Sequence, residues 1–523
     1  MADALPRYYP NELELSSVTV EGLERAVSDL TGSITEGLTK IEASFPILVT
    51  QSDYGHLFTG WIGVVFTYII LKTRAPFLDT EPSNAITQQL DSFLAKLADV
   101  PEFPLALRPG RSSPIVDGPI SALLVRFMQG KSLDNDARAL QDVVDHALKP
   151  ERIVHVQQEG QRRAHDKGVD EVLAGRCGFL WMLLQIVSVN TSDSTSLASW
   201  SKANDEVKSV TIGSVEKIYG VIIDSGIEGA KDFIKQHNSE DKMPLMWPWL
   251  NEYYGLGAVH GMTGNLSVLI LASSYHGLSA RTTKKEEDKA IISAVSTLCR
   301  IGIKHNGHLP MATPPWPTET SSNFLVQLCH GAPGLLYLLA VAALHGKVNK
   351  SYTPLWLKAI RLASNKVWEE GILSKGGSLC HGLAGNAWAF LLLHDVFEYQ
   401  YIPHEELDIC DAEDKNFFVK DGELSGDWFL ERGLALLMEC RNTKPFADNA
   451  KYRLPDTPYS LFEGLAGITY AWADALFAVK ARLKWNQLKS SGLDGSMMKD
   501  DKEFQRLFKM RLGIPGLAGP FLS

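Results

Sequence analysis

Two apolar patterns alternate along the chain. In NAITQQLDSFLAKLADV (84–100), NDARALQDVVDHALK (135–149), DKAIISAVSTLCRIGIKH (288–305) and LWLKAIRLASNKVWEEGIL (355–373), apolar residues recur every three or four positions among polar ones. That period predicts helices with one buried face. In GFLWMLLQIV (178–187) and GLLYLLAVAALHG (334–346), apolar residues fill nearly every position, the pattern of a helix packed on all sides. Strand-like alternation is scarce, so the chain reads as all-α.

A Gly-x-x-Gly element opens most of the fully apolar runs. It stands at Gly60/Gly63, Gly175/Gly178, Gly261/Gly264, Gly331/Gly334, Gly382/Gly385 and Gly464/Gly467, and a degenerate copy starts at Asp117 in DGPISALLV. Glycines three apart share a helix face and, lacking Cβ atoms, let a neighbouring backbone approach. The unit is amphipathic helix, glycine turn, buried helix, repeated six or seven times. Such hairpins bury a core only by packing on their neighbours. Closed on itself, the array is an α/α toroid of about seven hairpins, with apolar helices inside and the glycine turns gathered at one end. Left open, it is a helical solenoid, and the pattern fits both.

The chain 1–523 reads as one such domain, with segment 1–50 packing on it. Stretches near 189–205, 404–427 and 489–503 break the repeat and are expected to be solvated loop insertions. The second holds nine acidic and two basic residues. The long uncharged runs 56–71 and 331–346 fall short of the roughly 18–20 apolar residues that cross a bilayer, so no transmembrane segment is expected. The N-terminus lacks a signal pattern, and Ala2 stands where N-myristoylation needs Gly.

A formal net charge of -10 excludes the basic face of a nucleic-acid binder. The six cysteines are too scattered for a disulfide framework and fit a reducing compartment. A cytoplasmic location is expected, with peripheral membrane contact left open.

Two cysteines share one context, LCHGAPG (Cys329, His330) and LCHGLAGN (Cys380, His381), and VHGMTGN offers His260 without a thiol. If the glycine turns share one end of a toroid, these side chains converge although they are distant in sequence. Two thiolates and one imidazole make a zinc site with an open fourth position, and a helix start favours thiolate. Buried Cys and His that merely pack are the alternative. Cys177 lacks the adjacent His, and Cys299, Cys410 and Cys440 lie outside the element, so these four read as packing residues.

The elements GAVHGMTGN, LCHGAPG, LCHGLAGN and PDTPYSLFEGLAG, with TGWIG, GRCG and RYYPN before them, resemble the lanthionine synthetase C-like (LanC-like) family over essentially the whole chain. The resemblance implies a seven-hairpin α/α toroid. It implies zinc held by Cys329, Cys380 and His381, with His260 as general acid or base and Glu171 as an acidic residue of the active site. It further implies that Lys375, Arg453 and Arg7 contact glutathione, as in the eukaryotic branch. Having His330 after a ligand Cys also fits that branch, which makes peptide macrocyclisation a poorer expectation. The implied reaction is addition of a thiol, glutathione, to dehydroalanine or dehydrobutyrine in peptides or proteins, forming a thioether.

Two other classes stay open at this point. One is a non-catalytic glutathione- or partner-binding module with structural zinc. The other is a glycosidase, since α/α toroids also serve that chemistry. It needs two placed carboxylates, and Glu463 in FEGLAG has no evident partner.

Overall fold

The computed structural model describes residues 5–45, 54–79, 84–97, 100, 102–105, 107, 112–149, 170–189, 201–249, 253–278, 281–315, 318–320 and 323–517. Among these residues seven apolar helices form an inner ring: Trp61–Leu78, Gly118–Met128, Arg176–Ser188, Met262–Ser273, Ala332–Leu344, Leu383–Glu398 and Leu465–Ser490. Each packs on the next, and the last packs on the first, which closes the circle. The fold is therefore an α/α toroid and not an open solenoid. The amphipathic stretches form the outer layer, including Ala85–Lys96, Asp136–Ala147, Lys284–Lys304 and Thr353–Glu370. The outer helix Thr353–Glu370 buries Trp356, Leu357, Ile360, Ala363 and Val367 along one face. The inner helix Ala332–Leu344 is buried from Ala332 through Ala343.

The glycines explain how the inner helices begin. Gly60, Gly175, Gly261, Gly331, Gly382 and Gly464 each occupy the residue before the first turn of an inner helix. At the degenerate copy Asp117 takes this place, and its carboxylate accepts the Ile120 N–H at 3.2 Å, an ordinary side-chain cap. The second glycine of most pairs lies where the entering chain folds back over the helix start, while Gly334 lies against Ala258 and Thr263 of the neighbouring turn. A Cβ at Gly264 would lie 1.7 Å from the Ala258 carbonyl oxygen, and one at Gly467 would lie 1.9 Å from that of Leu461.

The seven turns are strung together by backbone hydrogen bonds. Phe58 N–H donates to Ile115, Ser112 to Ala174, Leu173 to Val259 and Ala258 to Leu328; Cys329 then donates to Cys380, Cys380 to Phe462, and Phe462 back to Phe58. This girdle closes at the turn end of the ring. It fixes Cys329 and Cys380 as direct neighbours, joined at 3.0 Å.

Among the described residues one helix, Trp61–Leu78, is long and apolar enough to cross a membrane by length and composition. It is an inner-ring helix, and 67% of that window is buried, as befits a core helix.

The acidic stretch 404–427 reads as a solvated loop but is folded. It holds the helix Ala412–Phe418 and a two-strand hairpin, Val419–Lys420 with Glu423–Leu424. Asp414 accepts from Arg361 at 2.6 Å, Glu406 accepts from Thr353 at 3.0 Å, and Phe418 stacks on Phe397. Its carboxylates are thus partly neutralised by an outer helix about fifty residues earlier, which composition could not reveal. The stretch 489–503 begins on the end of the last inner helix and carries two further helices, Gly495–Lys499 and Lys502–Lys509, capped by Asp494 and Asp501. Residues 190–200 lie outside the described residues; Ser201 caps the helix Lys202–Ile212 that follows.

After the last helix, Arg511–Leu517 crosses the inside of the ring. Arg511 binds Asp395 and Asp474, on the sixth and seventh inner helices. Gly516 packs against Val172 and Ile115 at the turn end. Leu512, Ile514 and Leu517 are buried.

Candidate metal centre and its rim

At the turn end, Cys329 Sγ, Cys380 Sγ and a ring nitrogen of His381 all lie within 4.8 Å of one another. Each ligand precedes an inner helix by two or three residues, so the N-terminal ends of Ala332–Leu344 and Leu383–Glu398 face the sulfurs and favour negative charge there. Burial pushes the Cys329 thiol up. The hydrogen bonds from Cys380 and His381, with the fields of His330 and His260, outweigh it and hold Cys329 well below the usual thiol range. Cys380 is held well above that range by the proton it shares with Cys329 and by burial.

This donor set fits a soft divalent ion. Ligand atoms around tetrahedral zinc stand about 3.5–4 Å apart, so slight closure of this cluster would suffice. Three protein donors also leave one coordination position free.

Beside the cluster, His260 Nδ1 lies 3.0 Å from a Glu171 carboxylate oxygen. The carboxylate fixes the tautomer: Nδ1 carries the hydrogen, which leaves Nε2 to exchange a proton. His260 stacks on His330 with ring centroids 5.0 Å apart, and Trp249 lies against both rings. His260 keeps 23% of its side-chain surface open, enough for a substrate to reach it. Burial presses its pKa down, but the Glu171 charge and hydrogen bond raise it above the ordinary value overall. Burial holds His330 down at about 4, so at neutral pH the stacked pair carries at most one added charge.

The cationic rim is assembled by the N-terminal strand. Tyr8–Tyr9 pairs antiparallel with Ile372–Leu373, and the Tyr9 hydroxyl donates to the Lys451 carbonyl. This pairing places Arg7 and Lys375 in one small depression, with Tyr8, Gln327, Glu370 and Leu373. Lys375 Nζ donates to Gln327 Oε1 at 3.1 Å, and Arg7 donates to the Phe324 carbonyl. Arg453 is exposed; its backbone N–H donates to the Ser374 carbonyl, next to Lys375. Glu463 accepts from Thr457 at 2.9 Å. A larger depression of about 330 Å³, over the buried Arg126–Asp136 pair, has no Cys or His among its described lining residues, so size alone does not mark the site.

Two participants escape a reading of sequence. Gln327, whose Nε2 donates to Cys329 Sγ at 3.0 Å, precedes its cysteine by two residues, but the matching position before Cys380 is Ser378. Trp249 lies outside the repeat element altogether.

The family described as Lanthionine synthetase C-like protein matches residues 52–488 of this chain. Among curated proteins, the glutathione S-transferase LANCL1 of Danio rerio is 26% identical over 314 residues, covering 60% of this chain and 60% of that protein. The match therefore spans about three fifths of that relative's length. The family match runs through all seven turns of the closed girdle, and the chain belongs to the lanthionine synthetase C-like family.

Proposed function

We propose that this protein adds the thiol of glutathione to dehydroamino acid residues in peptides or proteins, with zinc held by Cys329, Cys380 and His381. The observation that carries the reading is the meeting of these three soft donors with the His260–Glu171 pair on one rim. The name of the Danio rerio relative supports glutathione as the thiol. Zinc at that site would lower the pKa of a substrate thiol and so supply thiolate at neutral pH.

The chain's own residues do the rest. Lys375 and Arg7, on the shared depression, and Arg453 nearby pair with the carboxylates of glutathione. The sulfur bonds to the β-carbon of the dehydroamino acid, its double bond opens, and charge collects at the α-carbon and its carbonyl. His260 gives a proton from Nε2 to the α-carbon while its Nδ1–H stays on Glu171. The proton released by the thiol balances the one delivered, so the net reaction is addition of S–H across C=C. Trp249 beside His260 and His330 shields the proton path from bulk water.

Mass spectrometry of a dehydroalanine peptide with glutathione tests the proposal. The zinc-loaded protein should accelerate thioether formation over the uncatalysed addition. His260→Ala should keep zinc and lose about 10²–10⁴-fold in turnover, the usual worth of a general acid, and Cys380→Ala should lose zinc. A folded, zinc-loaded protein with no rate enhancement overturns the catalytic reading in favour of a binding module.

A further inference from the structure

We infer that Gln327 is a positioning residue that ties the cationic rim to the sulfur of Cys329 through one amide. The inference rests on Cys329, Cys380 and His381 being the metal ligands. Gln327 is 5% exposed, and both ends of its side chain are engaged. Its Nε2 donates to Cys329 Sγ at 3.0 Å, and its Oε1 accepts from Lys375 Nζ at 3.1 Å.

An amide's two ends are alike in shape but opposite in chemistry. The Lys375 ammonium carries only donors, so it takes the oxygen and turns the NH₂ toward the sulfur. The sulfur must then accept, which suits a metal-ligating thiolate. The backbone beneath is fixed: Gln327 N–H donates to the His330 carbonyl at 3.2 Å, and Val326 bridges to Gly331. Asn386, from the next turn, donates to the Val326 carbonyl at 3.0 Å. The amide is held in place from both sides of the turn.

Two consequences follow from this bridge. A hydrogen bond to a ligand sulfur draws charge from it and favours thiolate over thiol, so a metal held there would compete better with protons and would stay a stronger Lewis acid toward an incoming thiol. The same amide also holds Lys375 over the depression it shares with Arg7. One of the three ammonium hydrogens is spent on Gln327, and two remain for a substrate carboxylate. At the equivalent place before Cys380, Ser378 has no amide to offer, so the two sulfurs are electronically unequal by construction.

The test uses the full chain with cobalt(II) in place of zinc. It reads the sulfur-to-cobalt charge-transfer band, metal affinity by competition with a chromophoric chelator, and glutathione affinity by calorimetry. Gln327→Leu should shift the band, weaken metal binding about 10–100-fold, as loss of an outer-sphere partner does, and weaken glutathione binding. Lys375→Met keeps every ligand and sits on a half-buried rim position, so it reports even if Gln327→Leu fails to fold. It should move the band in the same direction and weaken the metal by a smaller factor. The double variant should bind metal no more weakly than Gln327→Leu alone. An unmoved band in both single variants, or metal losses that simply multiply in the double variant, would overturn the inference while leaving the metal centre standing. A wild-type protein that takes up cobalt with no thiolate band would overturn the metal centre itself, and the inference with it.

Discussion

His260 is the residue whose surroundings decide its chemistry. A carboxylate lies on one of its nitrogens, an indole lies beside it, and a second imidazole is stacked on its face. A proton donor must be charged before the step it serves, so turnover is present below its pKa and lost as pH rises through it. Burial lowers that pKa and Glu171 raises it above the ordinary value. Glu171→Gln keeps an oxygen to accept the Nδ1 hydrogen but removes the charge, so the alkaline limb of kcat/KM should move to lower pH. A pH profile checks this, and a limb that stays in place would remove Glu171 from the proton path. At this scale the sequence was legible only where the repeat spoke. Cys329, Cys380 and the histidines His260, His330 and His381 stand at matching places in glycine elements, so the register marks them as a set, while which His ligates and which acts as acid or base rests on the resemblance. Glu171, Lys375, Arg453 and Arg7 were reached through family resemblance alone. Gln327 and Trp249 gave no signal, because their roles depend on what the fold sets beside them.

Helix starts are the elements that make the rim, and their glycines were legible for a partly different reason from the one the structure gives. Spacing suggested a shared helix face meeting a neighbouring backbone. In the structure the second glycine mostly meets its own entering chain, the carbonyl six residues earlier: Leu57 for Gly63, Ala258 for Gly264, Leu379 for Gly385 and Leu461 for Gly467. A methyl group there has no space, and the obstacle is backbone, which cannot turn aside. Gly264→Ala should therefore destabilise the protein by about 1–3 kcal/mol, the usual range for overpacking. Gly32 is the internal control. It lies exposed within the helix Val20–Ser44, and a Cβ there would meet nothing within 4 Å. Gly32→Ala should stabilise by about 0.5–1 kcal/mol, the difference in helix propensity. Thermal melting of the two variants decides it, and equal shifts of the same sign would contradict the close-approach account. The degenerate second copy shows where such pattern reading ends. Asp117 caps its helix with a carboxylate and still joins the girdle through Ile115, so the position survives without the glycine that marked the others.

For the whole molecule, the repeat could not say whether the array closes, since hairpins in a ring and in a solenoid bury the same faces. Closure is a property of the last inner helix, Leu465–Ser490, meeting the first, Trp61–Leu78, and of Phe462 N–H reaching the Phe58 carbonyl. The chain beyond the last helix was equally illegible, because the partners of Arg511 lie more than thirty residues away on two different helices. Arg511, Asp395 and Asp474 are almost wholly buried, one cation between two carboxylates. Burial pushes the Asp395 carboxyl up to about 7 against the pull of Arg511. A carboxyl raised in the folded state binds its proton more tightly there than in the unfolded chain, so its contribution to stability is greatest at low pH and declines as pH rises toward 7. Arg511→Met removes the cation that, among the described residues, this group is paired with and leaves two carboxylates facing each other in the core. The loss should be about 3–5 kcal/mol at pH 8, as for a broken buried pair, and smaller at pH 5, where the folded state recovers by taking up protons. Denaturation at the two pH values measures this, and an equal loss at both would show that the carboxylates stay charged without Arg511. The consequence reaches the site. Arg511 anchors the segment whose Gly516 packs on Val172, the residue after Glu171. At temperatures where Arg511→Met remains folded, slack in that segment should loosen the Glu171 carboxylate. Turnover should then fall while zinc content, set by the adjoining Cys329 and Cys380 turns, stays at the wild-type level.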